Sequence, residues 1–129
     1  LAAQNGGRPY PALAFFHIPL PEYEQVLAAP NTNLAGYRYE SVCCPKINSG
    51  FFAAMLECGD VKGTFVGHDH VNDYEGTLHG IRLIYGRGSG FNAYGRDGFP
   101  RGGRVILVEA GKDTFTTWLR LENGQKVQY

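Results

Sequence analysis

Residues 61–70 read V-K-G-T-F-V-G-H-D-H, a largely apolar run that stops at two histidines with an aspartate between them. A short run of this kind, rich in β-branched and aromatic residues, predicts a buried strand over Val61 to Val66. In open α/β sheets ligands gather at the carboxyl ends of the strands, which is where His68, Asp69 and His70 then fall. Neutral imidazole is a good ligand for zinc, iron or manganese. A His-x-His pair leaving a strand presents both rings to one ion or to two neighbouring ions. The small Gly67 lets the backbone come close, and Asp69, Asn72 or Asp73 are placed to accept the spare N–H of a ring. The plainer alternative is a turn of packed, hydrogen-bonded histidines.

Upstream, Ala12-Leu13-Ala14-Phe15-Phe16 lies between Pro11 and Pro19 and predicts a second buried strand with His17 at its end, either packed or a ligand. Pro21 and Pro30 bracket a short helix over Glu22 to Ala28. Asn48-Ser49 offers a cap for a helix over Gly50 to Cys58, in which Phe51, Ala54, Met55 and Cys58 share one face and Gly59 ends the run. Downstream, strands are predicted over Tyr74 to Leu78, Ile81 to Tyr85, Arg104 to Glu109 and Thr114 to Glu122. Short turns at His79-Gly80 and Gly111-Lys112-Asp113 make neighbours antiparallel and turn His79 to solvent. Two strand–helix units followed by an antiparallel meander predict an α+β or layered α/β sandwich. The glycine-rich stretch Gly86 to Gly103, with Arg87, Arg96 and Arg101, reads as a phosphate cradle or as an ordered surface loop, since no Lys-Ser/Thr follows its glycines. Asp60, Asp73 and Glu75 show no spacing of a catalytic carboxylate pair.

The 129 residues suit one domain with one core, and 43% hydrophobic and 13% aromatic content is that of a folded chain. Twelve basic and 12 acidic residues, with a pI near 7.1, provide no long-range field for nucleic acid or an anionic membrane, so neither partner is expected. No apolar run approaches the ~20 residues of a membrane span, and Leu1 to Tyr10 lacks a signal-peptide layout. The first residue is not methionine, from which a processed or truncated chain is expected. Cys43, Cys44 and Cys58 form an odd set: either of the adjacent pair could bridge to Cys58, or all three stay buried free thiols.

Taken together, Phe15-Phe16-His17-Ile18-Pro19-Leu20-Pro21-Glu22-Tyr23, Asn48-Ser49-Gly50-Phe51-Phe52, Gly67-His68-Asp69-His70-Val71-Asn72-Asp73-Tyr74 and Tyr85-Gly86-Arg87 resemble the calcineurin-like metallophosphoesterases. Within that superfamily they are similar to the purple-acid-phosphatase-like proteins of plants and fungi, some of them labelled inactive. The likeness runs from about Pro11 to Glu122. It implies the carboxyl-terminal half of a metallophosphoesterase domain, with residues 1–129 as a single unit.

The resemblance further implies phosphomonoester hydrolysis by water activated between two metal ions, each iron, zinc or manganese, bridged by an aspartate. His17 and His68 would share one ion and His70 would reach the other. The family's Asp-x-His, bridging-aspartate and Gly-Asn-His motifs have no match here, because Gly59-Asp60-Val61-Lys62-Gly63 lacks the second acid. The chain alone is therefore expected to be inactive, its partners being a phosphate ester and a missing amino-terminal half or a chain supplying it. Self-association of the fragment is expected from its apolar strands. A noncatalytic binding or structural module that keeps the histidines is the alternative. Plant relatives point to a secreted or vacuolar setting.

Overall fold

A computed structural model describes residues 2–129. Strands β1 (Ala12–Phe15), β2 (Val61–Val66), β3 (Glu75–Leu78) and β4 (Ile81–Tyr85) form one sheet in the order β1-β2-β4-β3. β1 and β2 are parallel, as are β2 and β4, whereas β3 runs antiparallel to β4. A second, wholly antiparallel sheet holds β5 (Gly102–Val108), β6 (Phe115–Leu121) and the two-residue β7 (Lys126–Val127). The layered α+β sandwich expected from the sequence is thus present, with one correction. The downstream strands do not make one meander, because β3 and β4 turn back into the sheet of the parallel strands and only β5 to β7 meander. Neither β7 nor the short 3-10 turn at Ala2–Asn5 is foreseen by the periodicity.

Helix α1 (Glu22–Ala28) starts at Pro21, whose φ of −54° is already helical, and places Glu22 and Glu24 where the helix dipole favours acids. Ala29 is extended ahead of Pro30 and ends it. Helix α2 (Phe51–Cys58) stops at Gly59, left-handed at φ 68°, whose N–H returns to the Met55 carbonyl at 3.0 Å. Two expectations for α2 fail. Asn48 does not cap it: its Oδ1 accepts from Gly50 N–H at 2.9 Å, a local turn, and its Nδ2 donates to Glu22 Oε1 at 2.7 Å. The buried face is Phe52 and Met55, while Phe51, Ala54 and Cys58 are exposed, since eight residues span barely two turns and the contact is made by one side of them.

Both helices pack on one face of the first sheet. Tyr23, Val26, Phe52 and Met55 meet Val66, Leu78, Ile81, Leu83 and Tyr85 in the core. The second sheet covers the opposite face, where Phe115 lies against Gly63 and Phe65, and Arg104 of β5 reaches Glu75 of β3 at 3.3 Å. A Cβ at Gly63 would come within 2.6 Å of the Phe115 ring, so this close approach of the layers depends on glycine. Burial on both faces explains why β2 and β4 read as apolar runs without alternation. Among the described residues no helix is long and apolar enough to cross a membrane. Cys43, Cys44 and Cys58 are all free thiols, but Cys43 and Cys58 are exposed and Cys44 is half-buried, where buried thiols were expected.

Candidate metal centre

Three parallel strands end at the same edge of the sheet, and the ladder continues past them. Gly67 N–H donates to the His17 carbonyl at 3.1 Å, and Gly86 N–H to the Val66 carbonyl at 2.8 Å. The residues that follow β1, β2 and β4 are therefore held side by side although the chain between them is long. A cavity of about 250 Å³ opens there, and His17, His68 and His70 all line it together with Arg101.

His17 Nε2 stands 3.2 Å from His68 Nδ1, with the rings nearly perpendicular at 80°. Two nitrogens bound tetrahedrally to one ion at ~2.1 Å each would be about 3.4 Å apart, so this spacing suits either a hydrogen-bonded pair or two ligands of a shared ion. His68 achieves it from a left-handed backbone, φ 72°, unusual for a residue with a side chain. His70 faces another neighbour. Its ring stacks on Tyr94 with centroids 4.1 Å apart, and its Nδ1 lies 3.2 Å from the Tyr94 carbonyl. A carbonyl only accepts, so Nδ1 carries the proton and the Nε2 lone pair is left to a ligand. Tyr94 is itself fixed: its hydroxyl donates to Glu40 at 2.9 Å and accepts the His70 backbone N–H at 3.1 Å. His79 lies in its hairpin turn, exposed, at φ 48°.

Asp69, Asn72 and Asp73 are nearly or fully buried and none of them accepts from an imidazole; the expectation that they orient the rings is corrected here. They tie down a neighbouring segment instead. Asp69 Oδ2 accepts from the Tyr85 hydroxyl at 2.6 Å and from Cys43 N–H at 3.1 Å. Asn72 Oδ1 accepts from the N–H groups of Tyr39 and Glu40, while its Nδ2 donates to the Glu40 carbonyl. Asp73 accepts from Tyr37 N–H, from the Tyr129 hydroxyl at 2.8 Å and from the Arg87 guanidinium. The physical reason is burial: all three side chains point into the protein, where a polar group, and an ionised carboxylate above all, must find donors. Burial and then the Asp69 carboxylate push the Tyr85 phenol well above its ordinary range, so Tyr85 remains a donor.

The donor chemistry fits part of a metal site. Three imidazoles face the cavity, and the one carboxylate at its wall, Asp69, is occupied by Tyr85 and Cys43 N–H. Cys43, His68 and Asp69 also bring ligand atoms within 4.8 Å of one another, a mixed set that could hold a thiophilic cation. Sequence reasoning weighed Cys43 only for disulfides, and it passed over Tyr94 and Glu40 altogether. No spacing rule connects Glu40, His70 and Tyr94; only their assembly does.

Comparison with known proteins adds a family to this geometry. The chain is 45% identical over 122 residues to "Probable inactive purple acid phosphatase 14" of Arabidopsis thaliana, and 44% over 123 residues to "Probable inactive purple acid phosphatase 29" of the same plant. It is 36% identical over 124 residues to "Phosphatase DCR2" of Saccharomyces cerevisiae. Each match takes in 88% or 89% of this chain, which spans 30%, 31% and 21% of the three relatives respectively. No family model matches, and no solved structure matches. With the motifs that carry the strand-end histidines lying inside the matched length, the chain belongs to the purple-acid-phosphatase-like proteins of the metallophosphoesterase superfamily.

Proposed function

We propose that this chain supplies the three-imidazole wall of a metal-dependent phosphoesterase that hydrolyses phosphate monoesters. The observation that carries the reading is the 3.2 Å approach of His17 Nε2 to His68 Nδ1, in a cavity that His70 also lines. His17 and His68 would hold one ion and His70, aimed by the Tyr94 carbonyl, a second. Such ions supply Lewis acidity, lowering the pKa of water and neutralising phosphate oxygens. Three imidazoles divided between two ions leave each under-coordinated. The remaining carboxylates are assigned to an amino-terminal half of the longer protein, or to a chain that supplies it.

The outer edge of β1 pairs with no described strand, and Phe15 on it is 63% exposed. That edge is where the absent half would add its own strand; without it the same surface favours self-association. Monodisperse monomers of the 129-residue chain in light scattering would count against the last point.

The test uses the full reading frame and p-nitrophenyl phosphate. Turnover by the complete protein that His68→Ala reduces to background is the expected result; undiminished turnover in His68→Ala would overturn the assignment. A second reading, a noncatalytic module, draws on the words "probable inactive" in the names of the Arabidopsis relatives. It predicts a full reading frame without Asp-x-His and Gly-Asn-His motifs and no turnover from the wild-type protein.

A further inference from the structure

The buried turn from Asp69 to Asp73 does more than carry the histidines beside it. Asp73 accepts from Tyr37 N–H, Asn72 from the N–H groups of Tyr39 and Glu40, and Asp69 from Cys43 N–H. Arg38 and Asn72 also form an antiparallel bridge, so the segment from Tyr37 to Cys43 is laid down along the turn in reverse order. Its acceptors are between 0% and 3% exposed, which makes this docking costly to undo. The consequence is that Cys43, remote in sequence from the histidines, arrives beside His68 with its backbone already held.

Cys43, His68 and Asp69 bring ligand atoms within 4.8 Å of one another. In a tetrahedral zinc site, ligand atoms ~2.1–2.3 Å from the ion stand about 3.4–3.6 Å apart, so closing the cluster takes movements of about 1 Å. Cys43 can make such a movement, because its side chain is exposed and only its N–H is fixed. The third donor is built in. Both hydrogen bonds of Asp69, from Tyr85 and from Cys43 N–H, fall on Oδ2. Its Oδ1 accepts from no described donor, yet it is not sealed from solvent. No described cationic side chain pairs with this carboxylate, although it is only 3% exposed. A buried carboxylate without a counter-charge, next to a thiol and an imidazole, suits a cation. The sulfur decides which kind, since thiolate favours zinc over magnesium or calcium. Cys43 does not line the cavity that His17, His68 and His70 share, so this donor set differs from the three-imidazole wall, although both use His68.

We propose that Cys43, His68 and Asp69 form a site for one thiophilic divalent cation, zinc by the chemistry of its donors, with water as fourth ligand. Thiolate and carboxylate together balance the two charges of the ion, and binding releases the thiol proton to solvent. The site takes nothing from an amino-terminal half. It therefore belongs to this chain alone, whether or not the longer protein hydrolyses phosphate esters.

The experiment titrates Co2+, a spectroscopic substitute for zinc, into the reduced 129-residue chain in the absence of oxygen, and then displaces it with Zn2+. A cobalt–thiolate charge-transfer band in the near ultraviolet is expected, and added zinc should remove it. Cys43→Ser, at an exposed position, should abolish the band, whereas Cys44→Ser and Cys58→Ser should keep it. His68→Ala, and Asp69→Asn, which keeps an acceptor for Tyr85, should each weaken Co2+ binding by at least the ~10- to 100-fold that losing an outer partner of a ligand costs. His17→Ala should leave the affinity unchanged. Circular dichroism monitors folding, and if His68→Ala or Asp69→Asn unfolds, the three cysteine variants decide. Absence of a thiolate band in the wild-type chain overturns the site, as does a band that survives Cys43→Ser or disappears equally in Cys44→Ser or Cys58→Ser. An affinity that falls as far in His17→Ala as in His68→Ala overturns it too, because the ion then sits on the imidazole pair. None of these failures touches the phosphoesterase reading, which is judged by turnover.

Discussion

Replacing Asp73 with alanine should be the most damaging single change outside the hydrophobic core. Its carboxylate is fully buried, and the Arg87 side chain it meets is only 4% exposed. Removing one partner of such a pair leaves an uncompensated charge and costs about 3–5 kcal/mol. Here the Tyr37 N–H and the Tyr129 hydroxyl lose their acceptor as well. A domain of this size has ~5–15 kcal/mol of total stability, so Asp73→Ala should consume roughly a fifth of it or more and lower Tm by roughly 12–20 °C. Urea unfolding of the chain followed by circular dichroism measures the loss. The double variant Asp73→Leu/Arg87→Met, apolar and of similar volume, should regain most of it, because neither charge then remains to be solvated. A loss below about 1 kcal/mol in Asp73→Ala, or a double variant no better than the single, would refute the assignment of Arg87 as a charge made tolerable by Asp73. The consequence reaches the site: Arg87 begins the loop whose later residues line the histidine cavity, so the same substitution should loosen that wall.

Two further outcomes follow from local geometry. The left-handed backbone at His68, φ 72°, costs ~1–2 kcal/mol for a residue with a Cβ, so His68→Gly should be about 1 kcal/mol more stable than His68→Ala in thermal unfolding, although both lose the imidazole. Equal stabilities would show that the conformation carries no strain. Burial holds the phenols of Tyr23, Tyr74 and Tyr85 above their ordinary value of 10.0. The unfolded chain therefore releases those protons first as pH rises, and the stability contributed by the protonated phenols is whole below pH ~10 and falls above it, by up to about 4 kcal/mol per pH unit. The share of tyrosinate absorbance that Tyr→Phe replacement assigns to Tyr23, Tyr74 and Tyr85 should rise together with loss of the circular dichroism signal, and titration of that share near pH 10 in a chain still folded would contradict this.

Periodicity and punctuation were enough to locate most elements. The span Val61–Val66 ends at Gly67, proline brackets Glu22–Ala28, and the left-handed pair His79-Gly80 closes a hairpin; each depends on the chemistry of a few adjacent residues. The strand-end histidines and the family motifs were legible for the same reason. Assembly alone decided the rest. Which face of α2 is buried, and which sheet each downstream strand joins, depend on pairings such as Gly63 with Arg82 that no local spacing encodes. Asp69, Asn72 and Asp73 look like companions of the histidines because they are neighbours along the chain. They lie in the turn between β2 and β3 and nevertheless point inward, where burial obliges each to be met by backbone donors, Tyr85 or Arg87. Arg101 was legible only as one of several arginines in a glycine-rich stretch. Its place beside His70 arises because parallel pairing of β1, β2 and β4 brings three strand ends to one edge, and the loop from Gly86 to Arg101 must cross that edge to reach β5.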